Sequence, residues 1–148
     1  MARARRKASA VSTSWVDTKI SATVIDFGQP MLQQLPADAS PALLQASFEL
    51  LVSFWNVNVM ATHWGQPGHR DAMRLKFMQA VADRSAPVEM LATFEQLCQR
   101  YRQHPFVDDP RAIGHWKLRH LLDGQVNLQC DARLPPGMDS PTPPSGPL

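Results

Sequence analysis

Cysteine is scarce, with Cys98 and Cys130 the two in 148 residues. Small secreted scaffolds stapled by disulfides carry more, at regular spacing. The chain therefore reads as a protein of a reducing, cytoplasmic compartment. Long hydrophobic runs are also missing, and none approaches the roughly 18 apolar residues that suggest a membrane span. Charge is modest, 19% against 44% hydrophobic residues, so a folded globular body is expected and wholesale disorder is excluded. The sequence has no phosphate-binding glycine loop, no nucleophile elbow and no HExxH pattern. That leaves no sequence ground for proposing an enzyme, and no cofactor or metal is expected.

What charge there is sits unevenly. Arg3, Arg5, Arg6 and Lys7 contribute +4 to a formal total of +2, so all other residues together sum to −2. The basic balance belongs to a short arm. No apolar stretch follows it, which makes it a poor secretory signal; an organellar transit peptide is the minor alternative. Four positive charges can neutralise a few phosphates, weakly and in a salt-dependent way. No basic stripe elsewhere in the sequence accompanies the arm. Arginine-dominated basic residues and plentiful alanine suggest a bacterial coding sequence.

One domain fits this length. Residues 1–14 read as a disordered basic arm, 15–134 as a single globular domain, and 135–148 ("PPGMDSPTPPSGPL") as a disordered Pro-rich tail. Within the domain the periodicity predicts about four helices. The first spans 21–35, with a kink or break at Gly28 and Pro30. The second runs from Pro41 to about Thr62, capped by Ser40 and stopped by "GQPG". The third covers His69–Arg84, with Met73, Phe77, Met78 and Val81 on one face. The fourth covers Pro87 to about Arg102, with Ser85 or Ala86 near its cap. After residue 114 the pattern alternates. Asp123-Gly124 between two alternating stretches is a strong hairpin signal. The fold class is therefore α+β: helices around a central apolar second helix, then a C-terminal β-hairpin. An isolated hairpin is marginal in water and must pack on the helices or find a partner.

The stretch "FWNVNVMATHW", residues 54–64, is the most unusual. On a helical wheel Gln45, Glu49, Ser53, Asn56, Met60 and His63 form one narrow stripe, expected to face solvent. Asn58 instead falls on the apolar face. An unpaired buried amide costs about 1–3 kcal/mol, so Asn58 must find partners. Either it bonds a neighbouring backbone, or it lines a pocket with Trp55 and Thr62.

Other candidates are weaker. His63 and His69 are separated by a Gly-Pro loop, unlike helical zinc ligands at i and i+4. His115 and His120 are an odd number apart on a strand and face opposite sides unless a bulge intervenes. Cys98 and Cys130 lie on apolar faces and read as small hydrophobes. Asp108 and Asp109 precede Pro110 and read as turn residues. Trp64, Trp116 and Leu128 are candidate interface residues.

These observations favour a small accessory or regulatory protein acting through protein–protein contact, with an unknown partner or a second copy of itself at the hairpin edge. A weak nucleic-acid binder using Arg3, Arg5, Arg6 and Lys7 is one alternative. A small-molecule-binding protein or enzyme built around Asn58 is the other.

Overall fold

The longest helix, Pro41–His63, is the spine of the structure, a computed structural model that describes residues 15–123 and 125–138. Its start follows the sequence signals. The Ser40 Oγ accepts the Leu43 N–H at 3.1 Å, and Pro41 supplies a first-turn residue that needs no N–H partner. Gly65, at φ +70°, ends it. Numbered in chain order, the helices are α1 (Ile20–Phe27), α2 (Gln29–Leu32), α3 (Pro41–His63), α4 (Gly68–Ala82) and α5 (Val88–Tyr101). Short single-turn helices cover Trp15–Asp17 and Phe106–Asp108, and β1 (Ala112–His120) and β2 (Val126–Arg133) form an antiparallel hairpin. The class is α+β, with five helices and a C-terminal two-stranded hairpin.

The expected first helix is two helices, because the chain breaks at Gly28 and Pro30 sits in the first turn of α2. Gly28 is required by close approach. A Cβ built there would lie 2.5 Å from the Leu51 Cδ1 and 2.7 Å from its Cδ2. Leu51 is fully buried in α3 and has nowhere to go. The cap of α5 also differs: Pro87 holds that position without a side-chain bond, and neither Ser85 nor Ala86 supplies one. On α4, Met73 and Phe77 turn inward, but Met78 is half exposed and no α4 residue is fully buried. This helix covers the core's edge and is not part of its centre.

Two aromatic groups fill the interior. Phe27 meets Trp55, Tyr101 and Phe106 edge-on, with ring centroids 5.2 to 6.3 Å apart. Phe54, Phe77 and Phe94 form the second, at 5.3 to 5.6 Å. Such edge-on pairs contribute roughly 0.5–1.5 kcal/mol each beyond their buried area. The hairpin lays its inner face on this core, with Leu118 opposite Leu128 and Trp116 opposite Cys130. The register slips between Ile113 and Trp116, so β1 carries a bulge at Gly114 and His115. At the tip, Leu121 donates its N–H to the Gln125 carbonyl and the Asp123 carboxylate accepts the Gln125 N–H. The tip residue Gly124, the arm and residues 139–148 lie outside the described residues. Residues 135–138 do not leave the body: Pro135 is buried, and Met138 donates its N–H to the Pro135 carbonyl.

Replacing Gly28 by alanine overpacks the contact with Leu51. We expect Gly28→Ala to cost about 1–3 kcal/mol in urea unfolding. Undiminished stability would show that α1 and α2 do not pack on α3 in this way.

Candidate functional site

One loop accounts for most of the polar residues of "FWNVNVMATHW". Trp55, Asn56, His63 and Trp64 all extend polar tips from α3 to one loop, the segment that leads into β1. The pairs 55/63 and 56/64 are eight residues apart, about two helical turns, so both ends of the stretch reach the same side. The His63 Nε2 donates to the Val107 carbonyl at 2.8 Å, and the Trp64 Nε1 donates to the Pro110 carbonyl at 2.9 Å. The Trp55 Nε1 donates to the Arg111 carbonyl at 2.8 Å. Asn56 closes the series: its Nδ2 donates to the Ile113 carbonyl at 3.0 Å, and its Oδ1 accepts the Ile113 N–H at 2.7 Å. From α5, Tyr101 adds a bond from its hydroxyl to the Asp109 carbonyl at 3.0 Å. The loop thus runs back along α3, held carbonyl by carbonyl.

Asn56 is therefore not a solvent-facing exception, as the wheel suggested. Gln45, Glu49 and Ser53 are exposed as expected, but Asn56, Met60 and His63 are half covered, because the hairpin and the loop lie over that half of the helix. The Asn56 amide acts as a short piece of strand against Ile113. It fills the outer edge of β1 at that point.

A buried ion pair locks the same loop. The Asp109 carboxylate accepts from the Arg111 Nε at 2.9 Å, Nη2 at 2.8 Å and backbone N–H at 3.0 Å. The Arg111 Nη1 reaches the Thr18 carbonyl at 2.8 Å, and its Cζ lies 5.2 Å from the Trp15 ring centroid. Asp108 instead pairs with His104 at the surface. The two carboxylates are thus split between an exposed pair and a buried one, and they do not face each other across a shared site.

Asn58 is completely buried and fully partnered. Its Nδ2 donates to the Phe54 carbonyl at 2.8 Å and lies 3.6 Å from the Cys98 Sγ. Its Oδ1 accepts from the Arg70 Nε at 2.9 Å, and Arg70 also reaches the Thr62 Oγ1 at 3.3 Å. The space in which a ligand would meet Asn58 and Thr62 is filled by the Arg70 side chain. The described surface hollows, about 170 to 480 Å³, are lined by none of Asn58, Trp55 and Thr62. Trp55 is itself fully buried, with its indole N–H satisfied.

The candidate interface residues divide. Trp64 and Trp116 are half-buried. Leu128 is 3% exposed and belongs to the core, so its side chain is not available to a partner. The inward alternation of β2 places it there. His63 and His69 do not come together, since His63 is occupied by Val107. Among the described residues no group of three or more His, Cys, Asp or Glu is placed to hold a metal ion. Both cysteines are free thiols. Burial pushes the Cys98 thiol up, and burial with nearby Asp131 pushes Cys130 up to about 11. Burial, then the Asp109 charge, pushes the Tyr101 hydroxyl well above its ordinary range. The residues Arg3, Arg5, Arg6 and Lys7 lie outside the described chain.

The hairpin is the element with unfilled bonding capacity. From the Leu121–Gln125 bond at the tip, antiparallel alternation turns the peptide groups of Val126, Leu128 and Cys130 away from β1. Among the described residues no hydrogen bond from another element reaches the β2 backbone, whereas Asn56 covers β1 at Ile113. At the tip beside this edge, Leu121 and Leu122 are exposed, Leu122 completely. No family model matches this chain, and neither a curated protein nor a solved structure is significantly similar to it.

The buried pair generates a direct prediction. Arg111→Met strands the Asp109 carboxylate and should cost about 3–5 kcal/mol in denaturant unfolding. Asp109→Leu combined with Arg111→Met should cost less than Arg111→Met alone. A double variant at least as unstable as the single would contradict a buried, mutually dependent pair.

Proposed function

We propose that this chain works by binding, as a small accessory or regulatory protein that takes a strand of a partner protein onto the outer edge of β2. The observation that carries this reading is the row of outward peptide groups at Val126, Leu128 and Cys130, which receive no hydrogen bond from another element among the described residues. Exposed strand edges are templates for pairing with another chain. Strand addition takes its affinity from main-chain bonds and its specificity from neighbouring side chains. Here the neighbours are Leu121 and Leu122, apolar groups free to be covered at the end of the edge.

The rest of the molecule supports such a role. The loop into β1 is held by five side chains of α3 and α5. The hairpin is therefore presented on a rigid base, and pre-ordering a binding element lowers the cost of association. The free thiols suit the reducing cytoplasm expected from the sequence, and no described helix is long and apolar enough to cross a membrane.

Val126 is the first residue of β2, a position where proline is tolerated, and its N–H points outward. Val126→Pro should leave the far-ultraviolet helix signal unchanged and reduce nuclease-resistant capture of a protein partner, or self-association by light scattering, at least tenfold. Equal association by both forms would overturn the edge reading.

A further inference from the structure

The two edges of the hairpin differ in what each would set against a copy of itself. β1 turns outward the peptide groups of Trp116, Leu118 and His120, as β2 does those of Val126, Leu128 and Cys130. Each row is centred on a leucine, Leu118 or Leu128. Two copies of one strand joined antiparallel about a two-fold axis set the central residue against itself and its two neighbours against each other. On β1 this places Lys117 opposite Arg119 of the other copy, on both sides of the axis. Like charges directly opposite destabilise a sheet. On β2 it places Asn127 opposite Gln129, two amides that each donate and accept. On the inner side it places Val126 opposite Cys130 and Leu128 opposite Leu128. The flanking pair is Gln125 with Asp131, an amide donor facing a carboxylate. The stretch Val126–Cys130 has no charge and no proline, the devices that blunt an exposed strand edge.

We infer, resting on the strand-addition reading above, that the strand taken onto β2 is the β2 strand of a second copy of this chain. Centred on Leu128, every outward residue of that row finds a partner: Leu128 with Leu128, Val126 with Cys130, and Cys130 with Val126. Each of these pairs exchanges two N–H to carbonyl bonds. The product is one antiparallel sheet in the order β1-β2-β2-β1, with both helical bodies on the same side. It meets the need of a two-stranded hairpin, marginal in water, for further strands. The register also carries each tip, with exposed Leu121 and Leu122, alongside the base of the other copy's hairpin. A two-fold contact uses the same surface on both copies and closes. The edges that remain are those of β1, which Lys117 and Arg119 guard against a further copy. Assembly therefore stops at two chains.

The test uses the full chain in sedimentation equilibrium across a concentration series. The expected wild type is a reversible dimer of the 16.5 kDa chain. Asn127→Glu with Gln129→Glu separates pairing from folding. Within one hairpin the new carboxylates face Arg119 and Lys117, so the fold is kept or strengthened. Across the axis they face each other, so the dimer dissociation constant should rise at least tenfold. Disulfide trapping reads the register. Opposed residues of this kind lie about 4.5 Å apart at Cα, within disulfide reach. Asn127→Cys chains mixed with Gln129→Cys chains should cross-link under mild oxidation, and neither chain should do so alone. A monomer at every concentration overturns the inference and leaves the edge to a foreign strand, which the capture experiment with Val126→Pro still tests. Cross-linking of Gln129→Cys chains alone, as efficient as in the mixture, overturns the inference too. So does a dimer unweakened by the double glutamate change. If that dimer also survives Val126→Pro, the strand-addition reading falls with it.

Discussion

Everything C-terminal of α5 depends on one set of hydrogen bonds: the polar tips of α3 and α5 that hold the carbonyls from Val107 to Ile113. The loop they hold crosses the buried side of the domain, where backbone groups left without partners would each cost free energy comparable to a lost hydrogen bond. Trp55, Trp64, His63, Asn56 and Tyr101 meet that requirement with side chains that are apolar in the body and polar at the tip. Each bond contributes a net of only about 0.5–1.5 kcal/mol, yet losing either buried one, from Trp55 or Tyr101, leaves a buried carbonyl unsatisfied, which is the larger effect. The aromatic bodies of Trp55 and Tyr101 meanwhile fill the interior against Phe27. The same residues therefore build the core and fix the path of the loop.

That constraint determines how the hairpin is presented. The Asp109–Arg111 pair stiffens the last residues before β1 and ties them to Thr18 and Trp15 at the start of the described chain. Asn56 then closes the β1 edge at Ile113. Asn56 meets β1 at Ile113 alone, so the outward peptide groups of both strands nearer the tip stay open to a partner among the described residues. The proposed binding role rests on these open groups of β2. A partner strand would meet main-chain groups of β2.

Much of this was legible in the sequence, and the rest was not for identifiable reasons. Ser40, Pro41 and the "GQPG" stop place α3 to within a residue of its observed limits, because caps and breakers act locally. The alternation after residue 114 gives the hairpin and puts Leu128 and Cys130 on its inner side. The break at Gly28 is also written locally, although the reason for the glycine, contact with Leu51, is not. What the wheel missed is tertiary. Asn56 falls on a polar stripe, and only the path of a loop 57 residues away decides that the stripe is covered. The wheel shows that Asn58 needs partners, but Arg70, which fills the space beside it, lies on the next helix. Asp109 looked like a turn residue because its partner, two residues on, becomes buried with it only through contacts with Thr18 and Trp15.

The central claim is that the stretch Asp109–Arg111 ahead of β1 is buried and held by side-chain tips. Tyr101 reports on it directly, since it is the only tyrosine in the chain. Its hydroxyl is buried and donates to the Asp109 carbonyl, so its folded value is raised above the ordinary 10.0. A raised folded value means that this group's contribution to stability is complete below pH 10 and is lost as pH rises above it. The measurement is an alkaline titration of tyrosinate absorbance, with the helix signal followed in the same samples. The account predicts no tyrosinate while the helix signal is native, and its appearance only together with alkaline unfolding. Ionisation near pH 10 in a chain that is still folded would contradict it.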